Sequence, residues 1–257
     1  MPTFAAGKSE LYYESHGEGP AVVFAHGVGG NHASWFGQIG AFSKEHRVVV
    51  FDQRGFGNSN DVEDIGRSGM TDDLAALLDA LKIESAVLIA QSMGGGACVG
   101  LACRDPKRVR ALVLSDTLVG LALPQHLQPE MAKVQAATAQ LSQAERVLGP
   151  RLRQNDPDRA LLYGQIASFN SVNLKTIKGD FKRHPVAQLA ETKIPILFVV
   201  GEDDVLVPPR IARAVHEMVP GSRFELIAGV GHSANFEAAD EYNRVVLDFL
   251  RSLPPVG

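Results

Sequence analysis

Ala86-Val87-Leu88-Ile89-Ala90-Gln91-Ser92-Met93-Gly94-Gly95-Gly96-Ala97 sets two patterns back to back. Ala86 to Ala90 is an unbroken apolar run, as a strand buried on both faces of a parallel sheet requires. From Met93 the chain opens a helix through three glycines. Ser92 lies between them, on a turn sharp enough to expose its hydroxyl. Such a turn accepts only small flanking side chains. Gly94 meets that need, and Ala90 stands where the usual G-x-S-x-G has its first glycine. A glycine-rich turn can also cradle phosphate, but a G-x-x-x-x-G-K-[ST] loop needs a lysine and none is close by. The expectation is a nucleophilic serine at the apex of a strand–turn–helix.

Outward from this stretch, Ala21–Ala25, Arg47–Phe51, Val109–Leu114 and Ile196–Val200 are further apolar runs, and Leu226-Ile227 is a weaker one. Between them, Leu74, Leu77, Leu78 and Leu81 recur at helical spacing behind Asp72 and Asp73, which suit the positive end of a helix dipole. Tyr242, Val245, Val246, Phe249 and Leu250 form one apolar stripe near the C-terminus. Strands alternating with helices predict an α/β fold with a doubly wound, mostly parallel sheet. The alternation lapses between Leu118 and Pro185. Met131, Val134, Leu141, Leu148, Leu161, Leu162, Ile166 and Phe169 keep helical spacing there, with no convincing strand. The expected organisation is a core over 1–117, a helical cap over 118–185 whose apolar residues are mostly core, and the rest of the core over 186–257.

With 257 residues and 45% hydrophobic content, the chain can build one large core. A net charge of −4 with interspersed signs leaves no basic stripe, so neither nucleic acid nor a membrane surface is an expected partner. Cys98 and Cys103, five apart in a helical stretch, point to different faces and suit a reducing compartment. No apolar h-region precedes Pro20, so a cytoplasmic location is expected. Oligomeric state is left open.

A serine hydroxyl needs a base. Of the eight histidines, His232 stands in Gly229-Val230-Gly231-His232-Ser233, a glycine-flanked loop before the last helix, while His46, His184 and His216 sit in polar, surface-like surroundings. The base in turn needs an acid to fix its tautomer. Gly201-Glu202-Asp203-Asp204 ends a strand with three carboxylates, where open α/β sheets place their chemistry. Asp116, at another strand end, is the alternative acid. No metal-ligand spacing accompanies these groups. An oxyanion hole requires two backbone N–H donors, expected from Met93 and from Val28 in Phe24-Ala25-His26-Gly27-Val28-Gly29-Gly30. His26 is expected to tie that loop down. Trp35, the only tryptophan, is a candidate for lining an acyl pocket or for packing under the loop.

Taken together these segments resemble the α/β-hydrolase superfamily along nearly the whole chain. Asp52-Gln53-Arg54-Gly55-Phe56-Gly57-Asn58-Ser59 is similar to its D-x-R-G-x-G-x-S loop, and Ser92-Met93-Gly94-Gly95 to its nucleophile turn. Gly201 to Pro208 matches G-x-x-D-x-x-x-P, which selects Asp204, and Gly231-His232 with Glu237 matches G-H-x-x-x-x-E. The resemblance implies a Ser92–Asp204–His232 triad, a cap and no cofactor. It points to esterases and lactonases, including enol-lactone hydrolases, with small or polymeric esters as substrates. Ser92 in place of Asp departs from epoxide hydrolases and dehalogenases. Gly96 departs from the S-M-G-G-R of the menaquinone-pathway enzyme, and Ser233 from the Trp that follows the histidine of meta-cleavage C–C hydrolases. Carbon–carbon hydrolysis, cofactor-free perhydrolysis and a non-catalytic ligand-binding role are the competing expectations.

Overall fold

The structure is a computed structural model and describes residues 2–255. Ten strands form: β1 (Thr3–Ala6), β2 (Ser9–His16), β3 (Ala21–Ala25), β4 (Arg47–Phe51), β5 (Ala86–Gln91), β6 (Val109–Ser115), β7 (Leu121–Ala122), β8 (His184–Pro185), β9 (Ile196–Gly201) and β10 (Arg223–Ile227). Eight of them make one sheet in the order β1-β2-β4-β3-β5-β6-β9-β10. From β4 to β10 neighbouring strands are parallel, whereas β1 and β2 add an antiparallel edge.

The unbroken apolar runs divide their side chains between two cores, because successive residues of a strand face opposite sides. Val23, Val49, Leu88, Leu112 and Phe198 face one layer; Val22, Val48, Val87, Val113 and Leu197 face the other. Helices α1 (Phe36–Phe42), α2 (Met70–Ala80) and α3 (Gly94–Arg104) follow the first three parallel strands. Leu74 and Leu77 of α2 and Cys98 and Leu101 of α3 cover the first face. Phe42 of α1 packs on the second, with Tyr242 and Phe249 of the C-terminal helix. Cys98 is buried and Cys103 partly so, and both are free.

Four helices stand between β7 and β8 and leave the sheet: α4 (Gln128–Thr138), α5 (Gln143–Val147), α6 (Pro150–Asn155) and α7 (Pro157–Ser168). The expectation of no strand in this region needs correcting. Leu121 and Ala122 pair in parallel with His184 and Pro185, closing the base of the excursion. Two apolar side chains assigned to its core are also outside. Leu161 is 60% and Phe169 74% exposed, while Ile166 is buried. After the excursion come α8 (Val186–Glu191), α9 (Pro209–His216), α10 (Ala234–Glu237) and α11 (Ala239–Arg251). Among the described residues no helix is long and apolar enough to cross a membrane.

Candidate active site

The loops at the C-terminal ends of β3, β5, β6 and β9 converge on Ser92. Its backbone is left-handed, with φ +48°. Ser92 N–H donates to the Ser115 carbonyl at 3.2 Å, and the Thr117 hydroxyl donates to the Ser92 carbonyl at 2.6 Å. Next to it, α3 approaches so closely that a Cβ on Gly94 would stand 2.2 Å from the Ala25 carbonyl oxygen. A Cβ on Gly96 would lie 2.4 Å from the Phe181 ring. That ring occupies the space beside the position where S-M-G-G-R carries its arginine.

The structure brings together the three side chains that the motifs singled out. Ser92 Oγ lies 2.8 Å from His232 Nε2. His232 Nδ1 lies 3.0 and 2.9 Å from the two carboxylate oxygens of Asp204. A carboxylate only accepts, so Nδ1 donates and Nε2 is left to accept the Ser92 proton. Asp204 is itself fixed by the N–H groups of Leu206 and Val207, at 2.8 and 2.9 Å. Burial works against the imidazolium, but the Asp204 charge and hydrogen bond outweigh it and move His232 above the usual imidazole range.

The loop after β3 reaches the serine from the other side. A Cβ on Gly27 would lie 2.9 Å from Ser92 Cβ. Neither Val28 nor Met93 gives its backbone N–H to another described residue, and Met93 caps α3 at its positive end. His26 is buried and neutral in role: Nδ1 bonds the Gly27 carbonyl at 2.8 Å, and Nε2 accepts the Gln53 N–H at 3.0 Å. Desolvation lowers its affinity for a proton.

Trp35 takes the packing place of the two expected for it: it is 0% exposed and tilted against Phe24 at 4.9 Å between centroids, with its edge on a small buried cavity beside His26 and Gln91. His46 and His184 are corrections, being buried and not on the surface; His184 leans on Gln188 at 3.0 Å.

Three neighbours of the site have roles that the sequence does not reveal, although it marks Glu237 and Asp116. Gln91 donates to the His232 carbonyl at 2.8 Å, a role hinted at only by a polar residue ending an apolar strand. Glu237 accepts N–H bonds from Gly149 at 2.8 Å and Gly231 at 3.0 Å, and so ties the α5–α6 junction to the histidine loop. Asp116 is not the acid paired with His232. Its carboxyl accepts the N–H of Gly201 at 2.8 Å and of Ala234 at 3.1 Å, bridging the strand that leads to Asp204 and the helix after His232. Full burial, together with the nearby Asp204, pushes it up to about 8.

A doubly wound sheet that presents Ser, His and Asp in hydrogen-bond sequence at its strand ends defines a class of α/β proteins. The chain belongs to the α/β hydrolase fold family, whose model matches residues 20–239. It is 26% identical to a protein provisionally named carbamate hydrolase RutD from Azorhizobium caulinodans, over 97% of this chain and 98% of that one. It is 29% identical to the 2-hydroxy-6-oxo-6-phenylhexa-2,4-dienoate hydrolase of Comamonas testosteroni, over 94% of this chain and 91% of that one. Among solved structures, the enol-lactonase of Burkholderia xenovorans LB400 superposes with a TM-score of 0.79 at 25% identity, covering 98% of this chain and 100% of that one.

Proposed function

We propose that this chain is a serine hydrolase of carboxylic esters, lactones included, acting by two-step acyl transfer. The observation that carries the proposal is the continuous hydrogen-bond line from Ser92 Oγ through His232 to Asp204. His232 takes the hydroxyl proton as Ser92 Oγ bonds to the carbonyl carbon. The Met93 and Val28 N–H groups receive the oxyanion. The C–O bond then breaks, and the leaving oxygen takes the proton from His232. Water repeats the sequence in reverse and frees the acid.

Residues 118–185 act as a cap over this centre, with Glu237 as one of its fastenings. The proposal includes a cytoplasmic setting, consistent with two free thiols, and a small or polymeric ester as partner, without nucleic acid, membrane or cofactor. A second reading, carbon–carbon hydrolysis, draws on the 29% identity to the dienoate hydrolase. Esters are favoured because Ser233 follows the histidine where those enzymes usually carry Trp.

The test is turnover of a simple aryl ester by wild type and by Ser92→Ala. The substitution should cost about 10³-fold or more in kcat. Retention of most of the activity by the variant would remove Ser92 from the chemistry.

A further inference from the structure

Four arginines stand on α5, α6 and α7, and three have clear engagements. Arg153 Nε donates to the Leu148 carbonyl at 3.2 Å. The Arg159 guanidinium lies 5.4 Å from the centre of the Phe236 ring. Arg151 sits against Gly229, outside the catalytic line. Arg146 and Arg159 each bury an Nε with no hydrogen-bond partner, and neither forms an ion pair among the described residues, but only Arg146 also lacks an aromatic ring beneath its guanidinium. A guanidinium nitrogen withdrawn from water and left unpaired is costly. That cost is recovered when an anion supplies the missing acceptor.

The location of Arg146 indicates where that anion comes from. Gln143 and Arg146 are three residues apart on α5 and therefore share a face. Gln143 Nε2 lies over the oxyanion loop, 2.8 Å from where a Cβ of Gly29 would stand. Arg146 is near enough to His232 for its charge to oppose protonation of the imidazole. Directly after it, Gly149 is pressed on Gly231 and held by Glu237. A capping box between Ser142 and Glu145 fixes the other end of the helix. The helix carrying Gln143 and Arg146 is thereby held beside both the oxyanion loop and the histidine loop, on either side of Ser92.

We infer that Arg146, with the Gln143 amide beside it, receives a carboxylate of the substrate, so that the ester or lactone opened at Ser92 carries a second, ionised carboxyl group. A planar guanidinium fork matches the two oxygens of a carboxylate. One cation joined by a neutral amide suits a single charge better than a phosphate dianion. This inference rests on the acyl-transfer reading of the site.

The experiment compares esters that carry a carboxylate with neutral isosteres of equal length. Monomethyl esters of succinate through adipate place the charge on the acyl side, and 3-acetoxybenzoate against phenyl acetate places it on the leaving-group side. Wild type should favour one charged series by about tenfold or more in kcat/KM, mainly through KM. Arg146→Gln should reduce that preference by about tenfold, and Arg146→Lys should restore part of it, keeping the charge but not the fork. Arg146→Glu should reverse its sign. Added salt should shrink the wild-type preference. An equal loss on charged and neutral esters in Arg146→Gln, or no preference in wild type, would overturn the inference. Neutral-ester turnover that depends on Ser92 would then leave the catalytic reading standing, whereas no ester turnover at all would bring both down.

Discussion

Ser92 occupies a backbone region that a non-glycine residue enters at a cost of about 1–3 kcal/mol. Hydrogen bonds from Thr117 and to Ser115 hold it there, and the turn presents Oγ to His232. At the same scale His232 answers two opposed demands. Burial favours the neutral base, while Asp204 favours the cation and prevails. The group must be neutral to accept a proton, so the acidic limb of kcat/KM should lie above ~6.5, the ordinary value for imidazole. Asp204→Asn removes the stronger influence. Turnover should fall by about 10³–10⁴-fold, and the limb should move to lower pH because only the weaker influence of Asp116 is left to oppose burial. A pH–rate profile of both proteins checks this, and a limb that stays in place would show that Asp204 does not control the base. The residues in this line were legible because each sits in a short motif whose local geometry the chain itself encodes. Asp116, Gln91 and Glu237 were not legible in role. Their partners lie up to 141 residues away, and nothing local indicates which N–H or carbonyl they will meet.

At the scale of elements, the junction of β5 with α3 depends on the absence of side chains. Gly94→Ala would drive a methyl to within 2.2 Å of the Ala25 carbonyl, a backbone atom of the neighbouring strand. Stability should fall by about 2–3 kcal/mol, measured by urea unfolding; a loss below half a kilocalorie would mean that the helix slides freely on the sheet. The strands buried on both faces were readable from their apolar runs alone. β1 and β2 were not, since they form an antiparallel edge where polar and apolar residues mix, as in Ser9–His16. β10, also at an edge and largely exposed, accordingly gave only a weak signal at Leu226-Ile227. The helical excursion was visible as a lapse in alternation. Its inward face was less so, because periodicity identifies a stripe without saying whether Leu161 or Ile166 faces the protein.

Across the whole molecule, Glu237 joins the helical excursion to the core through Gly149 and Gly231. Burial raises this carboxyl to about 7. A carboxyl with a raised folded value binds its proton more tightly in the native state, so its contribution is fullest at low pH and is lost as pH rises through 7. The stability advantage of wild type over Glu237→Gln should therefore be larger at pH 5 than at pH 8 by about 2–3 kcal/mol. Urea melts of both proteins at the two values test this, and a gap that widens with pH would contradict it. The same linkage holds the α5–α6 junction against the loop that carries His232. The central claim is that Ser92 is a nucleophile activated by His232. Intact-mass and peptide mapping after exposure to a fluorophosphonate measures this directly. One phosphonyl group should be found on Ser92 in the wild type, and its attachment should be strongly slowed in His232→Ala. An unlabelled Ser92, or labelling indifferent to the loss of His232, would contradict the account.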